Sequence, residues 1–160
     1  MDSYERLLEF GLKPYGQLSD KQILELESKI QFKMPLDYRQ FMQLSNGGNF
    51  PKTYVGCMNL CGEDILINPF LSYEIEDKVL EIVHWYNMFG AEYKGVNAAQ
   101  IALSDPGIIV LVWENGSKDG VYLWDDGLEL ETSTEDDCMY KIANSFDEFV
   151  GKLYLWDPED

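Results

Sequence analysis

Positive charge is scarce in this chain of 160 residues: 12 Lys and Arg stand against 29 Asp and Glu, a formal net charge of −17. Phosphate recognition needs a clustered positive field, so a nucleic-acid reader is excluded, and docking on an anionic membrane is excluded with it. Histidine occurs once, as His84, and cysteine three times, as Cys57, Cys61 and Cys138. A small, odd cysteine count argues for reduced thiols and a cytoplasmic setting, not for a disulfide framework. No apolar run is long enough to cross a bilayer. The start, Met1-Asp2-Ser3-Tyr4-Glu5-Arg6, has neither the basic start nor the apolar stretch expected of a secretory signal. Repeats, low-complexity tracts and linkers are also missing, so one domain over 1–160 is expected.

The same scarcities thin out catalysis. Cys57, Cys61, Cys138 and His84 are the only soft ligands, and after the Cys-x₃-Cys pair there is no second close pair for zinc. His84 falls roughly 150° from the centre of its helix's apolar stripe, which turns it to solvent. Structural thiols and no bound metal are expected. A serine or cysteine nucleophile needs a positioned base beside it, and neither a Gly-x-Ser-x-Gly elbow nor a cysteine flanked by basic residues occurs. No P-loop is present, and Gly47-Gly48 lacks the strand-to-helix setting of a dinucleotide site, so no cofactor is expected.

Apolar and acidic residues are abundant instead. Hydrophobic residues make up 46% and aromatics 14%, enough to offset chain entropy with one packed core. Helical spacing of Tyr4, Leu7 and Leu8 marks a first helix closed by Gly11 and Pro14. Ser19 and Gln22 form a capping box for a second helix, with Ile23, Leu26 and Ile30 as its stripe. Met34-Pro35 opens a third, which buries Tyr38, Phe41 and Met42 and stops at Asn46-Gly47-Gly48. Tyr54-Val55 and Asp64–Ile67 read as short strands, and Glu74–Met88 as the best helix of the chain. The β-branched run Ile108–Trp113 predicts a strand buried on both faces. Val121–Trp124 follows, and Asp125-Asp126-Gly127 turns into the alternating Leu128–Glu131, which together predict a three-stranded meander. A last helix opens at Ser145, with Glu148 as its capping-box partner, and buries Phe146, Phe149, Val150 and Leu153. The expected fold is α+β: a mainly antiparallel twisted sheet with N-terminal helices and a closing C-terminal helix packed on it.

Three stretches carry a family pattern. Ile23–Glu27 leads to Met34–Met42 and ends in Ser45-Asn46-Gly47-Gly48; Gly120–Asp125 is a Gly-led aromatic strand with an acidic end; Ile142–Phe149 is a Ser-Phe-x-x-Phe helix. In this order they resemble the SUKH superfamily, which includes a cell-wall assembly regulator and bacterial toxin-immunity proteins. The pattern departs between Phe50 and Asn68, around Cys57 and Cys61, and in a long helical segment before Val110 that leads to Ser104-Asp105-Pro106-Gly107. The resemblance implies a binding scaffold with no catalytic set, since the matching residues start, end or fill elements and none is a nucleophile or base.

The acids are concentrated late: from Glu114 onward there are 14 acidic residues and 3 basic ones. Asp125, Asp126, Glu129, Glu131, Glu135, Asp136 and Asp137 are expected to form one exposed ridge, with Glu129 and Glu131 on the same side of a strand and Tyr122, Trp124 and Tyr140 interleaved. Acids crowded at a surface stay solvated and ionised, which suits neither a glycosidase pair nor the ligand spacing of an EF-hand. A negative patch with aromatic anchors instead suits a protein partner. With the family resemblance, the expected function is non-enzymatic immunity against a protein toxin, a cationic nuclease being favoured. Tyr122, Trp124, Asp125, Asp126, Glu129, Glu131, Glu135, Asp136 and Asp137 are the expected contacts. Two alternatives stay open: a regulatory scaffold for an endogenous partner, and a carboxylate-dependent hydrolase, which needs a deep pocket with two facing acids.

Overall fold

The computed structural model describes residues 2–60, 63–90 and 96–158. Its scaffold is a curled antiparallel sheet. Seven strands, β1 (Val55–Leu60), β2 (Glu63–Phe70), β3 (Ala98–Asp105), β4 (Ile108–Val112), β5 (Gly120–Trp124), β6 (Met139–Ala143) and β7 (Tyr154–Leu155), lie in the order β6-β5-β4-β3-β2-β1-β7. Every residue of β4 is buried, because side chains alternate between two covered faces. Ile109 and Leu111 join Val121, Leu123 and Ile142 in the main core, while Ile108, Val110 and Val112 face the opposite way with Ala98.

Helices α1 (Ser3–Glu9), α2 (Asp20–Ile30), α3 (Leu36–Ser45) and α5 (Phe146–Gly151) supply the main core. Their starts follow the capping chemistry of the sequence. The Ser19 side chain accepts the Gln22 amide and the Gln22 side chain accepts the Ser19 amide, completing the expected box. Ser145 likewise accepts the Glu148 amide at 3.0 Å, but the Glu148 carboxylate accepts from Asn144 one residue earlier. Phe146 is fully buried, its ring 5.2 Å from Tyr38 and 5.1 Å from Phe41, so the first and last thirds of the chain share one aromatic centre.

Asn46 shows why the Asn-Gly-Gly stop matters. It ends α3 in the left-handed region at φ 49°, and its buried amide then donates to the Tyr73 carbonyl and accepts the Tyr73 N–H, both at 2.8 Å. Gly47 follows at φ +72°, where a Cβ would stand 2.4 Å from the Leu71 carbonyl oxygen. Only glycine permits that backbone approach. The motif therefore ends a helix and also fastens it to the segment leaving β2.

Three expectations are corrected. Glu74–Met88 is not one helix. Glu74 takes φ 54°, a 3-10 turn covers Lys78–Leu80, and α4 spans only Ile82–Phe89. Ser72 competes for this backbone: its N–H and hydroxyl both donate to Leu80, and it accepts from Ile82. The long helical segment before Val110 contains β3 instead, an Ala-rich strand between β2 and β4. Its Ala98 lies in the cluster where Trp85 and Phe89 of α4 pack, so small side chains there admit a helix on the sheet's second face. Finally, Leu128–Glu131 forms no strand, and the third strand of the meander is β6.

Candidate functional site

The segment between β5 and β6 is organised by one carboxylate. The Asp125 amide donates to the Cys138 carbonyl at 2.8 Å and closes the neck of the loop. The Asp125 side chain then accepts the Glu129 amide at 3.0 Å, the Leu130 amide at 2.8 Å and the Ser133 hydroxyl at 2.5 Å. These amides would serve a neighbouring strand if Leu128–Glu131 were extended, so the carboxylate replaces the ladder. Leu128 turns through φ 53°, and Leu130 is drawn into the core. Thr132 and Ser133 each share a hydrogen bond with the Tyr140 hydroxyl, at 2.9 and 2.8 Å.

Asp125 is 0% exposed, so its expected place on the exposed ridge is corrected: it lies beneath the loop as its organiser. Burial by itself would raise its pKa. The Ser133 hydroxyl and the amides of Leu130 and Glu129 outweigh that effect and hold the carboxyl below its ordinary value. A charged acceptor surrounded by donors is the favourable form of a buried acid.

The other acids emerge from this frame. Asp126, Glu129, Glu131, Glu135, Asp136 and Asp137 are all exposed within the loop. None of their carboxylates takes a hydrogen bond or ion pair from the described residues; the ion pairs found are Arg39 with Asp20 and Glu27, and Lys78 with Glu81. No Lys or Arg occurs between Lys118 and Lys141. Glu129 and Glu131 do not share a strand face, since no strand carries them.

Tyr122 and Trp124 are half-buried on the sheet's second face. Tyr122 donates its hydroxyl to the Lys118 carbonyl at 2.6 Å, and the Lys141 ammonium lies 6.0 Å from its ring centroid. Burial, then the nearby Asp119 charge, raises the Tyr122 pKa. Trp124 meets the Phe89 ring edge-on at 5.3 Å and pairs across the ladder with Met139, which is 38% exposed. Trp85, Phe89 and Met139 were not among the expected contacts. For Trp85 and Phe89 the sequence signal was a second apolar side of α4, masked by the longer helix expected there, and Met139 carried none because β6 was not expected.

A separate groove of about 270 Å³ lies among α1, α3 and α5, lined by Asp2, Ser3, Arg6, Asp37, Leu44 and Asp147 among others. Its acids already cap α1 or join the helices to one another. Asp2 accepts the Glu5 amide at 2.8 Å, Asp37 accepts the Asp147 amide at 2.9 Å, and Asp147 accepts the Ser3 hydroxyl at 2.5 Å. Asp2 and Asp147 are exposed, and Asp37 is half-buried. The groove therefore reads as a helix joint more than as a facing acid pair.

The sulfurs are separated by burial. Cys57 is buried and Cys138 half-buried, both with free thiols, and Cys61 lies outside the described residues. Burial pushes the Cys57 thiol up to about 12, against smaller opposing effects from its own and the Met58 backbone amides. His84 is half-buried, edge-on to Trp85 at 5.6 Å, and not fully turned to solvent as expected. Among the described residues, no three His, Cys, Asp or Glu side chains stand together as a metal site. No helix among them is long and apolar enough to cross a membrane.

No curated protein matches the chain. The sequence profile of the SMI1/KNR4 family (SUKH-1), a generally non-catalytic group with immunity and regulatory roles, matches residues 17–152. That range runs from the Ser19-capped helix to the end of α5 and includes the Asn-Gly-Gly stop, β1 to β6 and the acidic loop. By sequence profile, and with the α+β fold expected of it, the chain belongs to the SMI1/KNR4 (SUKH-1) family.

Proposed function

We propose that this protein is a non-enzymatic immunity protein that neutralises a cationic protein toxin, a nuclease being favoured, by covering its basic cleft. The observation that carries this reading is the loop: six exposed carboxylates that take no ion pair from the described residues, displayed on a frame organised by buried Asp125. Unpaired like charges on an ordered loop repel one another in the free protein, and a cationic surface relieves that repulsion. Asp126, Glu129, Glu131, Glu135, Asp136 and Asp137 steer the encounter, and Trp124 and Tyr122 offer aromatic contact at the adjoining sheet face. Asp125 acts through the loop and touches no partner. The protein works in the cytosol, where its thiols stay reduced.

The test is association with the toxin domain encoded beside its gene, measured while salt is raised from about 50 to about 300 mM, a range over which screening shortens markedly. A steep loss of association rate is expected. Binding indifferent to salt removes the electrostatic part of the reading, and no binding at any salt removes the toxin.

A further inference from the structure

We propose that β6 is a docking edge: an extended, lysine- or arginine-bearing segment of the partner adds to the sheet there as an eighth strand, beside the acidic loop. This rests on the reading of the loop as a cation-attracting surface. β6 ends the strand order, so its outer side has no ladder. The Asp125 amide donates to the Cys138 carbonyl, which turns the polar groups of Cys138 toward β5. Across the regular pairs Trp124–Met139, Leu123–Tyr140 and Tyr122–Lys141 backbone direction alternates, so Tyr140 also faces β5 and the N–H and C=O of Met139 and Lys141 face outward, up to a register shift that follows Lys141. Among the described residues, no hydrogen bond reaches Met139 or Lys141 from that side. Beyond them the Lys152 ammonium donates to the Ile142 carbonyl at 2.8 Å, which closes that end of the edge.

An open edge is a liability that proteins usually blunt, and two features decide what this one accepts. The first is charge. The six exposed acids of the loop enter β6 directly at Met139, whereas a second copy of this chain would bring another net −17. A cationic strand is therefore favoured over self-pairing. Lys141, the edge's own cation, does not oppose it, because its ammonium lies over the Tyr122 ring, against the sheet face. The second is the side-chain step: Met139 and Trp124 pair across the ladder and leave a partly exposed apolar shelf for an alternate residue of the incoming strand. Main-chain bonds then supply affinity and the shelf and acids supply choice. The opposite edge, β7, has two residues, Tyr154 and Leu155, too few for a strand of the partner to pair along.

The full chain is mixed with a synthetic peptide of alternating Val and Lys at low salt, and amide exchange is followed residue by residue. The peptide is expected to bind and to slow exchange at Met139 and Lys141 about tenfold or more, while a peptide N-methylated on its edge-facing residues does not bind. Lys141→Pro, which removes an outward N–H, is expected to keep the unfolding midpoint and lose the peptide. Should that variant unfold, the N-methylated peptide still decides the question. Binding that leaves exchange at Met139 and Lys141 unchanged overturns the docking edge, and so does a concentration-dependent dimer through β6. If neutralising the loop acids abolishes binding while Lys141→Pro does not, the edge falls and the charge reading stands. If neither matters, both fall.

Discussion

Asp125 accepts the Leu130 amide at 2.8 Å from a fully buried position, so the one acid of the loop that sees no solvent fixes the residue around which its exposed acids are arranged. Loop stability and surface charge thereby depend on different carboxylates, and substitutions can address them separately.

Replacing Asp125 with alanine strands the Glu129 and Leu130 amides and the Ser133 hydroxyl beneath the loop. A loss of about 3 kcal/mol is expected, since a buried group left without its partner costs about 1–3 kcal/mol and these are bonds to a charge. Asp125→Asn keeps one acceptor and is expected to lose about half as much. Urea unfolding of both variants checks the order; equal losses would show that the charge adds nothing beyond hydrogen bonding.

The same carboxylate sets an acid limit. Its folded pKa is below the ordinary value, so the folded state binds its proton more weakly than the unfolded chain does. The stabilisation is complete above the unfolded pKa of about 3.9 and is lost as pH falls through the folded value. The stability difference between the native protein and Asp125→Asn is therefore expected to be constant near neutrality and to shrink below about pH 4. Paired acid titrations followed by tryptophan fluorescence measure it. A difference that grows on acidification contradicts the assignment.

Neutralising Asp126, Glu129, Glu131, Glu135, Asp136 and Asp137 to their amides removes exposed charges that take no ion pair from described residues. The unfolding midpoint is expected to hold or rise slightly, because self-repulsion falls. Association with a cationic partner is expected to slow by about 10–100-fold and to lose most of its salt dependence. Stopped-flow rates at two ionic strengths separate this from a folding defect.

Cys57 and Cys138 are expected to differ in reactivity. Burial pushes the Cys57 thiol up to about 12, and the thiolate is the reactive form. Iodoacetamide at mildly alkaline pH is expected to label Cys138 in the native protein and Cys57 only after denaturant is added. Peptide mapping by mass spectrometry reads both sites, and native labelling of Cys57 would place it outside the core.

Gly47→Ala is expected to cost more than about 3 kcal/mol, in the range reserved for strain at a special backbone position. A Cβ would meet the Leu71 carbonyl oxygen at 2.4 Å while the backbone stays at φ +72°. Thermal unfolding supplies the check, with Gly151→Ala as comparison, where φ is not positive and nothing stands within 4 Å of the added Cβ.

The sequence by itself determined the features that are local. Ser19 with Gln22 caps α2, Asn46-Gly47 stops α3, and the β-branched run at Ile108–Val112 is a doubly buried strand, because each depends on neighbours within a turn or on an unbroken apolar pattern. The exposure of Asp126, Glu129, Glu131, Glu135, Asp136 and Asp137 was legible from charge alone, because ionised side chains stay solvated. Tertiary structure alone decided the rest. Ala98–Asp105 has little strand propensity of its own and is a strand because β2 and β4 take its backbone on both sides. Leu128–Glu131 has the alternation of a strand and is a loop because Asp125 takes its amides first. Whether an acid lies at the surface or beneath it is set by which donors the folded chain gathers around it, and no spacing of residues records that.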